Sequence, residues 1–206
     1  MTRLFAALVP PEEVREHLAG ALDRLPETHE PGPAGLRWVD PGQWHVTLAF
    51  YGEVPGGAVP GLAAALWEAV GDLAAPPLRI RGAGSFGARN LWVGVASEPP
   101  ALLAALLRGS AEAARAVGPD LADELARRDR RRGHLTLARV SDRGRAREPG
   151  STKGALADLV RGLSVYEGPP WLPDEVVLFS SRLGAGRGGG PLHDPVARLP
   201  FAAQGA

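Results

Sequence analysis

The pentapeptide HVTLA occupies residues 45–49, and HLTLA recurs 89 residues later at 134–138. With five His and five Thr among 206 residues, chance supplies only about 0.12 H-x-T triplets, before the shared Leu-Ala is asked for. An imidazole has an ordinary pKa near 6.5, so at neutral pH one histidine can accept a proton while another donates one. Two imidazoles on opposite sides of a phosphorus atom, with hydroxyls to hydrogen-bond its non-bridging oxygens as charge builds, suit in-line displacement at a phosphate ester. The bland alternative is two half-exposed pleated strands. β-Propensity favours Thr there, but nothing in it selects His twice at the same place. Zinc is the competing use of two histidines, yet its remaining ligands would have to come from His193, His29 or a distant acid. The site is therefore expected to hold no metal and no cofactor.

Strands must position these groups. Alternate side chains share a face, and residues i and i+2 lie about 6–7 Å apart along it. His45 and Thr47 then point together, with Trp44, Val46, Leu48 and Phe50 on the opposite, apolar face. Leu135 and Leu137 stand in the same relation to His134 and Thr136. The two copies are expected to face each other across a cleft, related by an approximate two-fold axis. Further strands are expected over 3–9, 77–83, 90–96, 174–182 and 192–199, beside the motif strands 43–51 and 133–140. Helices are expected from Glu12, where Val14, Leu18 and Leu22 fall at helical spacing, and over 59–74, 99–117 and 153–163. This alternation predicts α/β or α+β layering. Two G-x-G-x-x-G spacings, at Gly82, Gly84, Gly87 and at Gly184, Gly186, Gly189, each lead toward a strand. They are read as hairpin loops, because no helix N-terminus follows to hold a pyrophosphate.

Composition narrows the ligand. Lys+Arg and Asp+Glu balance at 23 each, so a nucleic acid would be held by a local patch, as an end or a small fragment. There are no cysteines, which removes thiolate nucleophiles, disulfides and Cys-based zinc sites together. The opening MTRLFAALVPPEE is too short an apolar run for a signal peptide, and no stretch is long enough to span a bilayer. A soluble, cytoplasmic protein without membrane association is expected.

At its repeated motifs the sequence resembles the two-histidine (2H) phosphoesterases, and within them the bacterial and archaeal RNA 2′,3′-cyclic phosphodiesterases, also called 2′-5′ RNA ligases. RLFAALVPPEEVREHL at 3–18 resembles the family's opening strand and helix, and HVTLAFYGEV at 45–54 its first motif. GAGSFG and NLWVGV (82–87 and 90–95) resemble its central hairpin, GHLTLARV at 133–140 its second motif, and EVVLFSSRLG at 175–184 its late strand. The resemblance implies one α+β domain over 1–206, bilobal and pseudo-two-fold, with two antiparallel-type sheets facing a central cleft and helices outside. It also implies metal-independent conversion of an RNA 2′,3′-cyclic phosphate to a 2′-phosphomonoester, with 2′-5′ RNA ligation as the reverse direction. In family terms His45 is the proton donor to the leaving O3′ and His134 the proton acceptor that activates water. The motifs are too alike for the residues alone to assign that polarity. Implied partners are RNA ends or small cyclic-phosphate nucleotides, with no obligate protein partner. A phosphodiesterase for small cyclic nucleotides or 2′-5′ oligonucleotides, and a non-catalytic nucleotide-binding module, are the rival readings. The intact His and Thr of both motifs argue against the last.

The chain departs from the family at several places. Arg132 and Gly133 stand where an aromatic residue and Pro usually precede the second His, Tyr51 replaces an aliphatic residue, and His193 sits where an aromatic such as Tyr is common. Residues 141–152 read as a long polar loop. Thr47 and Thr136 are the expected phosphate ligands, with Arg139, Arg132 and Tyr51 as further substrate-binding candidates. Strict alternation puts Arg139 on the face opposite His134, so its contact with phosphate requires a twist. The run Arg127, Arg128, Arg130, Arg131 and Arg132 reads either as a solvated helix end or as a phosphate-holding patch. Tyr51, Phe86 and Trp92 could stack on a base, with core packing the simpler role for Phe86 and Trp92.

Overall fold

A computed structural model describes residues 1–25, 36–87, 89–127, 132–140, 149–186 and 190–202. Nine strands are described: β1 (Thr2–Leu8), β2 (Leu36–Trp38), β3 (Val46–Val54), β4 (Leu78–Phe86), β5 (Asn90–Ser97), β6 (Gly133–Val140), β7 (Glu167–Trp171), β8 (Glu175–Arg182) and β9 (Leu192–Pro200). Among the described residues there are five α-helices: α1 (Glu12–Leu22), α2 (Val59–Val70), α3 (Pro100–Glu112), α4 (Pro119–Arg127) and α5 (Pro149–Leu163). The class is α+β.

The helices form where the sequence spaces apolar residues by one turn. In α1, Val14, Leu18 and Leu22 are buried, and Glu12 and Glu13 place negative charge in the first turn, where the helix dipole favours it. In α2 the buried stripe is Leu62, Leu66 and Val70. The helix expected over 99–117 is α3 followed by a 3₁₀ turn at Ala113–Ala116, and α4 follows as a further short helix. Strand β7, EGPPW, is not among the expected strands, and it carries two prolines. It lies at the edge of the sheet, where a missing N–H leaves no ladder partner unsatisfied.

All the strands join one sheet, in the order β7-β4-β5-β6-β3-β1-β8-β9, with β2 also on β6. Every pairing is antiparallel. The two sheets expected from the sequence are thus halves of a continuous one, β4–β5–β6–β7 and β1–β3–β8–β9. They meet between β3 and β6, where Val46 pairs with Leu135. One face of the sheet, with Leu4, Leu8, Val46, Ile80, Val93, Leu135 and Leu178, joins the core shared with Leu18, Leu62, Leu66 and Leu106 of the helices. The motif histidines lie on the other, open face.

Both motif strands carry a β-bulge at the same place. Pairing with β1 runs from Thr47 to Ala49 and omits Leu48, and pairing with β5 runs from Thr136 to Ala138 and omits Leu137. An inserted residue reverses the alternation beyond it. Leu48 and Ala49 are therefore both buried, as are Leu137 and Ala138. Phe50, expected on the apolar face, lies instead opposite Phe5 on the open face, and Arg139 arrives on the open face at the matching position of β6. A second bulge omits Tyr51 from the pairing with β1, and its side chain turns into the core.

Of the two glycine spacings, Gly82 sits at a bulge of β4 with φ 64°, Gly87 in the β4–β5 turn with φ 55°, and Gly184 in the turn after β8 with φ 76°. They belong to hairpins, as their spacing without a following helix predicts; Gly189 lies outside the described residues. Among the described residues no helix is long and apolar enough to cross a membrane.

Candidate active site

Each motif histidine enters its strand with its ring anchored to the chain two residues earlier. His45 Nδ1 lies 2.8 Å from the carbonyl oxygen of Gln43, and His134 Nδ1 lies 3.2 Å from that of Arg132. A carbonyl can only accept, so Nδ1 of each ring carries the proton and donates it. With Nδ1 so engaged, Nε2 is the ring nitrogen left to each imidazole for proton transfer. Thr47 and Thr136 follow two residues on, half-buried on the same face. The pairing of Val46 with Leu135, the same position of both motifs, puts the two-fold axis between them and the four polar groups around it.

The surroundings of the two rings differ. His45 packs against Phe5 at 4.9 Å between ring centroids and edge-on against His193 at 5.3 Å, with Phe179 at 6.5 Å. Burial pulls the His45 pKa down to about 4, against the Gln43 hydrogen bond, which favours the charged ring; the charges of His193, Arg139 and His134 depress it further. His193 is also shifted down, first by burial and then by Arg139, with Asp194 opposing. His134 meets Phe86 edge-on at 5.1 Å and Trp92 at 6.3 Å.

The structure brings His45, Thr47, His134, Thr136 and Arg139 to the open face. Arg139 reaches it through the bulge at Leu137, which supplies the departure from strict alternation that its contact with phosphate needs. Arg132 is exposed, and it is its carbonyl that serves His134. Tyr51 is not at the site. It is 2% exposed, its hydroxyl donates to the carbonyl of Ser110 at 2.7 Å, and burial pushes its phenol up. The bulge that turns it inward is the physical reason. Phe86 is 49% exposed and Trp92 half-buried on the open face, so neither belongs to the helical core. Of the arginine run, Arg128, Arg130 and Arg131 lie outside the described residues, as do His29 and 141–148 of the expected polar loop; the last four residues of that loop, 149–152, are helical instead and open α5. His193 is the site residue whose place the sequence did not show; only its departure from the usual aromatic marked it. Among the described residues no group of three or more His, Asp or Glu could hold a metal ion.

Residues 9–96, which include the first motif and the β4–β5 hairpin, match the model of the family described as LigT like phosphoesterase. The second motif is covered by whole-chain similarity to solved structures. A Thermus thermophilus protein, TT0787, is 27% identical, with 97% of each chain covered and a TM-score of 0.67. Over residues 9–96 the chain is similar to the LigT-like phosphoesterases, and over nearly its whole length to TT0787. Escherichia coli LigT, crystallised with ATP, is similar in fold at 21% identity over 97% of this chain and 98% of its own, with a TM-score of 0.62. The same protein crystallised with 3′-AMP gives 23% identity, 97% of each chain and a TM-score of 0.60. No curated protein matches the chain. The similarity over 9–96 takes in the first motif, His45 and Thr47, and the whole-chain likeness to TT0787 extends over the second, His134 and Thr136.

Proposed function

We propose that the protein hydrolyses the 2′,3′-cyclic phosphate at an RNA end. Water attacks phosphorus opposite the 3′ oxygen, the P–O3′ bond breaks, and a 2′-phosphomonoester with a free 3′ hydroxyl is left. One Nε2 takes the proton of the attacking water while the other gives its proton to O3′. The observation that carries this reading is the matched pair of Nδ1–H···O=C bonds to Gln43 and Arg132, which leaves both Nε2 atoms for proton transfer. Thr47 and Thr136 donate to the non-bridging oxygens as charge builds, and Arg139 supplies a fixed positive charge beside them. The site draws one motif from each half of the sheet, which supports reading 1–206 as a single functional unit. With a 5′ hydroxyl in place of water, the same displacement joins two RNA ends through a 2′-5′ linkage. E. coli LigT, crystallised with ATP and with 3′-AMP, supports a nucleotide ligand for this face.

The family resemblance makes His45 the donor and His134 the acceptor. That polarity requires the bound phosphate anion to raise the His45 pKa. The lowered pKa of His45 in the ligand-free site favours the opposite polarity, with neutral His45 accepting and His134 donating. A substrate with sulfur at the 3′ bridging position separates the two, because a thiolate leaves without a donor. The histidine whose alanine variant is rescued by that substrate is the donor.

The activity itself is tested by offering the protein cyclic-phosphate-ended RNAs, nucleoside 2′,3′-cyclic monophosphates and 2′-5′ dinucleotides under exhaustive chelation. The expected product is a 2′-phosphomonoester, formed without added divalent ions. Production of 3′-phosphates, or activity recovered only with a metal, would overturn the mechanism. Preference for the dinucleotides would move the substrate class.

A further inference from the structure

We infer that the open face of the β4–β5–β6 half is a track for the RNA strand leading to the reacting end, with the terminal base on Phe86 and the phosphodiester 5′ of the terminal nucleoside on Arg81. This rests on reading the substrate as a 2′,3′-cyclic phosphate at an RNA end.

The two halves of the sheet are related by a two-fold axis but present different surfaces. Beside His45 the rings are packed on one another, with Phe5 at 5.3 Å from Phe179 and 4.9 Å from His193, and Phe5 is 4% exposed. In that half Arg198 is paired with Glu175 and Arg182 with Asp194, while Arg3 lies over the Phe50 ring at 4.6 Å. Beside His134 the rings are open. Phe86 stands 5.2 Å from Trp92, and the indole lies over Gly84, where a Cβ would come within 2.3 Å of Cζ2. Gly84 is thus the space that lets Trp92 lie down and back Phe86, whose exposed surface is free to take a base.

Register places a cation beyond these rings. Arg81 pairs with Gly94, and Gly94 pairs with His134, so the three form one row across β4, β5 and β6 on the open face. Two strand spacings, about 10 Å, separate the Arg81 and His134 backbones, and Gly94 puts no side chain between them. Arg79, on the same face of β4, is held by Glu167 at 3.1 Å and the Gly168 carbonyl at 3.2 Å. Arg81 is exposed and makes no ion pair among the described residues. On the other side of the rings, Arg139 pairs with Arg37 of β2 and with Asn90 of β5. Positive charge at both ends with aromatic rings between is the combination that binds single-stranded nucleic acid.

The test compares kcat/KM for a nucleoside 2′,3′-cyclic monophosphate with that for a dinucleotide ending in the same cyclic phosphate, across a range of salt. The dinucleotide is expected to be preferred by about 10- to 100-fold at low salt, as one charge-assisted contact provides. Arg81→Ala should remove most of that preference and flatten its salt dependence by about 0.7 in log–log slope, and Arg81→Lys should restore part of both. Phe86→Ala should weaken either substrate about 5- to 150-fold through KM. Turnover of the mononucleotide with no preference for the dinucleotide, or a preference unchanged in Arg81→Ala, overturns the track and leaves the proposed reaction standing. Turnover of neither substrate overturns the reaction. Calorimetric binding of the dinucleotide 2′-phosphate to wild type and Arg81→Ala then decides the track alone, equal affinities counting against it.

Discussion

Val46 of the first motif pairs with Leu135 of the second, and these are the same position of the repeat. A residue paired with its own counterpart lies beside a two-fold axis. The histidine before it and the threonine after it are therefore brought, on each strand, into equivalent places around one point. Two proton-transfer groups so disposed can act from opposite sides of a single phosphorus.

Each imidazole should then be individually necessary. His45→Ala and His134→Ala should each lower kcat/KM for a cyclic-phosphate RNA by about 10²- to 10⁴-fold, and the double variant should lose far less than the product of the two, because groups serving one step are not additive. Steady-state kinetics on the three variants decides this. Full multiplicativity would mean that the two rings act in separate steps.

The depressed pKa of His45 gives a signed pH dependence. In the free protein His45 should stay neutral down to about pH 4, seen by NMR as a ring that does not titrate near 6.5. Between those values the unfolded chain binds the proton that the folded one refuses, so folding stability falls as pH drops through that window. His45→Gln should remove this part of the acid sensitivity in denaturant titrations at pH 7 and pH 5. An inorganic phosphate ion bound at the site should raise the His45 pKa, and its affinity should rise as pH falls toward the raised value.

Arg139 depresses both His45 and His193, and its place on the open face depends on the bulge at Leu137. Arg139→Gln should raise the titration points of both rings while lowering kcat/KM by about 10- to 100-fold, the range for losing a charge-assisted hydrogen bond. Unmoved histidine titrations together with normal turnover would place Arg139 away from the site.

Tyr51 belongs to the core through its bond to the Ser110 carbonyl. Tyr51→Phe should cost about 0.5–1.5 kcal/mol in denaturant unfolding and leave kcat/KM for cyclic-phosphate RNA at the wild-type value. A kinetic defect without a loss of stability would return Tyr51 to the substrate.

The placing of the motif side chains was legible in the sequence because it rests on local pattern. H-x-T-L-A twice, in strand-like context, put an imidazole and a hydroxyl on one face of each strand, and alternation held as far as Thr47 and Thr136. Helices α1 and α2 were legible for the same reason, since one-turn spacing of Val14, Leu18 and Leu22, or of Leu62, Leu66 and Val70, is written in neighbouring residues. What lay beyond Thr47 and Thr136 was decided by partners far away in the chain. A bulge exists only relative to the strand it is paired with, so β1 and β5 determined that Leu48 and Leu137 are passed over, that Arg139 and Phe50 reach the open face, and that Tyr51 leaves it. His193 comes beside His45 because β9 pairs with β8 and β8 with β1, a sequence of long-range hydrogen bonds that no local pattern encodes. The joining of two expected sheets into one likewise rests on a cross-strand pair 89 residues apart, Val46 with Leu135, whose side chains are buried together in the core shared with the helices.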